Sequence, residues 1–174
     1  MYLQIDIHLI KLNCIQYIMI VPIHKGVIIL NWKLDEQLCF LLYASSRHVI
    51  KAYKKILDPL NLTYTQYITM VALWEKDHQL VSELGKHLVL DSGTLTPVLK
   101  KLEIDGRVKR IRDEIDQRKV YVDLTTKGKD LAKECQSVPA QLLACININK
   151  EQLDTLSFVL KDVYTEGLKG EEND

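Results

Sequence analysis

Between Val108 and Leu124 the apolar residues of this chain stop recurring every third or fourth position and begin to alternate. Val108, Arg110 and Arg112 alternate with Lys109 and Ile111, and Val120, Val122 and Leu124 alternate with Tyr121 and Asp123. A side-chain period of two belongs to strands, so two short strands are expected, joined by the charged turn from Asp113 to Lys119. No other feature constrains the fold as tightly, because the sequence on both sides of the hairpin has a helical period.

Upstream, Leu34, Leu38, Leu41, Leu42, Val49, Ala52, Tyr53 and Ile56 form one long apolar stripe, which Asp58-Pro59 ends. A second helix is predicted from Tyr64 to Glu75, with Ile68, Val71, Ala72 and Leu73 inward and Thr63 or Thr65 as N-cap. A third covers Val81 to Leu88. Asp91-Ser92-Gly93-Thr94 is cap and turn chemistry, and a fourth helix follows to Glu103, closed by Asp105-Gly106. Downstream of the hairpin one helix is expected from Thr126 to about Ala144, bent or stepped at Pro139. Another runs from Asn149 to Tyr164, with Gln152 completing a capping-box arrangement.

Two helices joined by a short turn and followed by a two-stranded hairpin describe a winged helix-turn-helix, whose second helix enters the major groove. In the fourth helix Leu95, Val98, Leu99 and Leu102 can pack inward, leaving Ser92, Thr94, Thr96, Lys100 and Lys101 outside. Short hydroxyls suit base edges or phosphates, and lysines suit phosphates. Pro97 is tolerable only near the first turn. The fold class expected is therefore mainly α with a small β hairpin.

The 174 residues carry 23 basic and 23 acidic side chains, with 47% hydrophobic residues. That hydrophobicity without net charge excludes disorder over most of the chain. A zero sum also excludes a generally polybasic protein, so nucleic-acid binding must rest on local segregation of charge. Thr94 to Arg112 holds six basic residues (Lys100, Lys101, Arg107, Lys109, Arg110, Arg112) against Glu103 and Asp105, a local +4. Cys14, Cys39, Cys135 and Cys145 have neither the pairing of a disulfide framework nor the clustering of a zinc site. A reducing, cytoplasmic setting is expected, with no metal and no other cofactor.

Met1 to Leu30 stands apart, Ile-rich and poor in charge. Asp6 occupies the place of a positive n-region and no small-residue cleavage site follows, against an export signal. Asn13, Gln16, Pro22, His24 and Lys25 interrupt any apolar window of about 20 residues, so no membrane span is expected. An accessory strand or turn, or translated sequence upstream of the true start, remain as readings of residues 1–33.

At the hairpin, Asp116-Gln117-Arg118-Lys119-Val120-Tyr121-Val122-Asp123-Leu124-Thr125 resembles the wing signature of the MarR family of bacterial transcription regulators. Leu90 to Glu103 is similar to that family's recognition helix. Leu38 to Arg47, around Cys39, is similar to the sensor-cysteine segment of its organic-hydroperoxide-resistance branch and the staphylococcal relatives. The resemblance spans roughly Leu34 to Leu168 and implies a homodimer on an operator of double-stranded DNA. Residues 34–60 and 126–168 would form a helical dimerisation region, and 61–125 the winged helix-turn-helix. It implies DNA contacts by Ser92, Thr94, Thr96, Lys100, Lys101, Arg110 and Arg118, the last reaching the minor groove while Asp116 orients it.

The resemblance also makes Cys39 a redox sensor, with Tyr53 and Tyr64 as partners of its thiolate. Cys39 and Tyr53 are 14 residues apart, about 21 Å on one straight helix at ~1.5 Å per residue. On a continuous helix they meet only across two subunits. Phenol donors favour thiolate over thiol, and peroxide would convert it to a sulfenic acid that condenses with another thiol. Relatives with a second cysteine carry it late in the chain on the partner. Cys145 sits at roughly that position, Cys135 is the other candidate, and a low-molecular-weight thiol is the third. The function implied is a repressor released by organic hydroperoxide. Three rivals stay open: a regulator released by a small phenolic ligand, a thiol peroxidase, and an interaction module that no longer binds DNA. Against an enzyme stand the missing Cys-x-x-Cys pair, the scattered His48, His78 and His87, and the lack of a glycine-rich phosphate loop or paired carboxylates.

Overall fold

The computed structural model describes the backbone of residues 8–11, 17–23, 26–31 and 33–171, and the side chains of 33–165. Asp6, Asn13, Cys14, Gln16, His24 and Lys25, on which part of the N-terminal reading turned, lie outside the described residues. The chain divides into two compact units, residues 1–51 and 52–174.

In the first unit β1 (His8–Lys11), β2 (Tyr17–Ile23) and β3 (Gly26–Asn31) form an antiparallel sheet with β2 in the centre, Ile20 lying opposite His8 and Ile29. Leu34–Glu36 make one 3-10 turn before helix α1 (Leu38–Leu57) begins, so the apolar stripe starts one turn ahead of the helix proper. α1 is unbroken to Leu57. There Asp58–Leu60 tighten into a second 3-10 turn, with Pro59 in its first positions and Asn61 left-handed at φ 49°.

The second unit is built on α2 (Tyr64–Glu75), β4 (Gln79–Leu80), α3 (Val81–Leu88), α4 (Ser92–Ile104), β5 (Val108–Arg112), β6 (Val120–Leu124), α5 (Thr126–Glu134), α6 (Val138–Ile146) and α7 (Lys150–Glu171). Thr63 caps α2. The Gln66 N–H donates to its hydroxyl and the Thr63 N–H donates to Gln66 Oε1 at 2.8 Å, two otherwise unmet donors satisfied at once. Leu73, Leu84, Leu95, Leu99, Leu102, Val108 and Val122 are removed from solvent, so α2, α3, α4 and the hairpin share one core. Each such side chain contributes about 1.5–3 kcal/mol over leaving it exposed.

The hairpin has the expected strands, with Val108 opposite Leu124 and Arg112 opposite Val120. It gains a third strand that the sequence did not suggest: β4 pairs on the far side of β6, Leu80 opposite Tyr121. Buried Gln79 anchors that strand by donating to the carbonyls of Ala72 and Lys76. Three further departures have physical causes. The long helix after the hairpin is two helices, broken at Cys135 to Ser137, and Pro139 falls in the first turn of α6, where a missing N–H costs nothing. α4 starts at Ser92, which places Pro97 inside it, past the first turn, and deprives the Gly93 carbonyl of its usual donor; burial of Leu95, Leu99 and Leu102 outweighs that loss. α7, opened by reciprocal hydrogen bonds between Asn149 and Gln152, runs past Tyr164 to Glu171.

Where α5 leaves the sheet the backbones touch. A Cβ on Gly128 would stand 2.0 Å from the Arg107 carbonyl oxygen, so only glycine fits. Trp74 Nε1 donates to the Gly128 carbonyl and locks α2 to the same point.

Candidate nucleic-acid interface and thiol site

The first turn of α4 is held by Asp91, whose carboxylate accepts from the Thr94 N–H at 2.9 Å and the Thr94 hydroxyl at 2.8 Å. Those bonds keep the Asp91 carboxyl below the usual range. Ser92, Thr96 and Lys100 are exposed beside it, whereas the Thr94 hydroxyl is already engaged and Lys101 pairs with Asp105 at 3.4 Å.

The basic run is less of a surface feature than its charge count implied. Arg107 is buried, donating to the carbonyls of Leu60 and Asn61 at 2.7 and 3.1 Å, and so ties the end of α4 to the turn after α1. Arg110 donates from Nε and Nη2 to Glu103 at 2.9 and 2.6 Å, while its N–H meets the other carboxylate oxygen. This fork clamps β5 to α4. Arg107 is frame rather than reading surface, and the Arg110 guanidinium is engaged by Glu103 within the protomer.

Arg118 is different. Its side chain is 91% exposed at the wing, with Nε 3.1 Å from Asp116, which also accepts the Arg118 N–H. Asp116 is held low in turn by that guanidinium. Asp113 closes the turn by accepting from the N–H groups of Ile115 and Asp116. The wing arginine is therefore extended into solvent from a braced loop. Between α3, the start of α4 and the wing lies a cleft of about 880 Å³, edged by Ser92, Arg118 and two cations missed by the sequence reading, Lys86 and Lys119. Their sign and position beside the turn were legible; which side they faced was not.

Cys39 lies in the first turn of α1 and is exposed, and Cys145 near the end of α6 is exposed also. Cys135 is buried, and burial, with Glu134 adding, pushes its thiol up and keeps it protonated. Tyr53 and Tyr64 are brought together, ring centroids 5.0 Å apart, and a third phenol not foreseen, Tyr67, packs 5.6 Å from Tyr53. Burial, reinforced by Tyr67 and Tyr64, pushes Tyr53 up to about 12, and burial raises the other two. At neutral pH all three phenols keep their protons. Cys39 belongs to the unit of residues 1–51 and the tyrosines to that of 52–174. No group of three or more metal-ligating side chains is assembled among the described residues, and none of their helices is long and apolar enough to cross a membrane.

A family profile described as transcriptional regulator SarA/Rot matches residues 51–135. The chain is 45% identical over 130 residues, 75% of its own length and 88% of the relative's, to the organic hydroperoxide resistance transcriptional regulator of Bacillus subtilis. Among solved structures it is similar to reduced AbfR bound to DNA, with TM-score 0.65 and 36% identity over 79% of this chain and 93% of that one. The same AbfR, of Staphylococcus epidermidis, is also known overoxidised on DNA; there the TM-score is 0.61 at 34% identity, covering 76% and 93%.

Proposed function

The chain belongs to the MarR family of winged-helix transcriptional regulators, and from that premise we propose that it is a DNA-binding repressor released when organic hydroperoxide oxidises Cys39. Two copies join through the helices outside the winged core, over residues 34–60 and 126–168, while 61–125 reads the operator. Ser92, Thr96, Lys100, Lys101 and Arg118 meet the duplex, with Thr94 fixing the helix start and Asp116 aiming Arg118. A regulator of this kind works in the bacterial cytoplasm.

The observation that carries the sensing step is the phenol cluster, three protonated O–H donors gathered at one place. Tyr53 and Cys39 share one unbroken helix, so the length argument applies and the tyrosines can serve only the thiolate of a second copy. That thiolate attacks the distal peroxide oxygen, the O–O bond breaks, and the alkoxide leaves to take up a proton as an alcohol. The sulfenic acid then condenses with a thiol, forming S–S and releasing water. Exposed Cys145 suits the second thiol, with a low-molecular-weight thiol next; Cys135, buried and protonated, suits it least. Loss of the thiolate frees the tyrosines and shifts the dimer, and the two heads leave the ~34 Å half-site spacing.

A gel shift on the DNA upstream of its own gene tests this. Cumene hydroperoxide should release the wild type and leave Cys39→Ser bound. Equal release of the two proteins would overturn the redox reading and favour a ligand-released regulator.

A further inference from the structure

Two rings meet that of Tyr53. Tyr64 and Tyr67 lie three residues apart on α2, hence on one face of it, and their rings meet the Tyr53 ring at tilts of 44° and 39°. The three differ in access: Tyr67 is buried, whereas Tyr53 and Tyr64 are half-buried. Tyr67 is therefore placed to support rather than to meet an incoming group. Cys135 faces Tyr67 electrostatically and burial keeps that thiol protonated, with Glu134 and Arg107 the charged groups beyond it. A free phenol turns about two side-chain bonds, while a hydrogen bond weakens steeply with angle and with a few tenths of an ångström. A hydroxyl that is to stabilise a thiolate needs its ring fixed.

We propose that Tyr67 is a positioning residue of the redox site: its ring, together with that of Tyr64, locks the Tyr53 ring so that the Tyr53 hydroxyl points at Cys39 of the partner subunit. This rests on the reading of Cys39 and Tyr53 given above. The ring performs the task, not the Tyr67 hydroxyl, so phenylalanine substitutes for it and an aliphatic side chain does not.

The test follows alkylation of Cys39 by iodoacetamide against pH in the full-length dimer, read by mass spectrometry of the Cys39 peptide. Thermal melting and operator binding of the reduced protein monitor the fold. In Tyr67→Leu the alkylation midpoint should rise by about one pH unit, roughly a tenfold fall in the ionisation constant of the Cys39 thiol. Tyr67→Phe should keep the wild-type midpoint. An unchanged midpoint in a folded Tyr67→Leu protein overturns the proposal, as does an equal shift in Tyr67→Phe. If Tyr67→Leu does not fold, Tyr67→Met is read the same way, and failure of both to fold makes the role structural and overturns the proposal. Tyr53→Phe separates the two levels. If it leaves the midpoint in place, the thiolate reading itself has failed; if it raises the midpoint and Tyr67→Leu does not, only the role of Tyr67 has.

Discussion

Helices α4 and α7 both carry apolar residues at helical spacing, yet their own chain treats them differently. On α4, Leu99 is 1% exposed and Leu95 and Leu102 are buried with it. On α7, Val159 is 51% exposed, and Leu156, Leu160 and Val163 stand in solvent beside it on the same side of the helix. The first turns of α1 resemble α7, with Leu38, Leu41 and Leu42 exposed. A contiguous apolar face of that extent marks an interaction surface. The winged core is thus satisfied by its own sequence, while the flanking helices leave apolar side chains uncovered, on the surface proposed above for a second copy.

The sharpest way to break that contrast is to delete the same chemistry on each side. Leu99→Ala removes a fully buried side chain and should lower unfolding stability by about 2–5 kcal/mol. Because the loss lies inside one protomer, the urea midpoint should fall by the same amount at every protein concentration. Val159→Glu should act otherwise. It places a charge on the exposed face of α7 and should weaken dimerisation at least about thirtyfold, about 2 kcal/mol. Sedimentation should show monomers while the circular dichroism of the helices is kept. A Val159→Glu protein that remains dimeric at low concentration removes α7 from the interface.

A smaller contrast sets two arginines of one hairpin against each other. Arg118 extends into solvent from the wing, while Arg110 is forked onto Glu103. Arg118→Ala, which removes one arginine from each protomer, should weaken operator binding about tenfold and reduce the slope of log affinity against log salt by about two. Arg110→Ala should leave that slope unchanged and soften the junction of α4 with β5 instead. Equal salt slopes for the two variants would mean that Arg110 leaves Glu103 to reach phosphate.

The sequence was most legible where residues answer to their own neighbours along the chain. The bounds of α2, α3, β5 and β6 follow from spacing and caps, since Thr63 and the alternation at Val108 act over a few residues. β4 was invisible because two residues have no period; it exists through pairing with β6 and the anchoring of Gln79. Where Arg107 and Arg110 point was not legible, because a charge count carries no direction, and only the fold turns one inward and the other onto Glu103. Val89, left-handed at φ 53° between α3 and α4, is a conformation that its own β-branched side chain argues against. Tyr53 and Tyr64 were legible through the family resemblance; Tyr67 was not, because its part depends on ring contacts between α1 and α2.

The Arg110 fork also gives the winged core an acid sensitivity that its removal should reduce. The guanidinium and N–H of Arg110 hold the Glu103 carboxyl below its ordinary value near 4.5, which it regains on unfolding. Stabilisation from a lowered carboxyl is complete above the unfolded value and disappears as pH falls through the folded one. Asp77 acts in the same direction: burial alone would raise it, but the N–H groups of Leu124 and His78 and the Lys129 ammonium outweigh burial and hold it low. Asp77 is common to wild type and Arg110→Ala, so it cancels between them. The gap in urea stability between the two proteins should therefore be largest near pH 7 and shrink toward about pH 3, by no more than about 0.5–1 kcal/mol because both partners are partly solvated. A gap of constant size across that range would mean that the fork holds β5 to α4 by shape alone, with no share from the charge on Glu103.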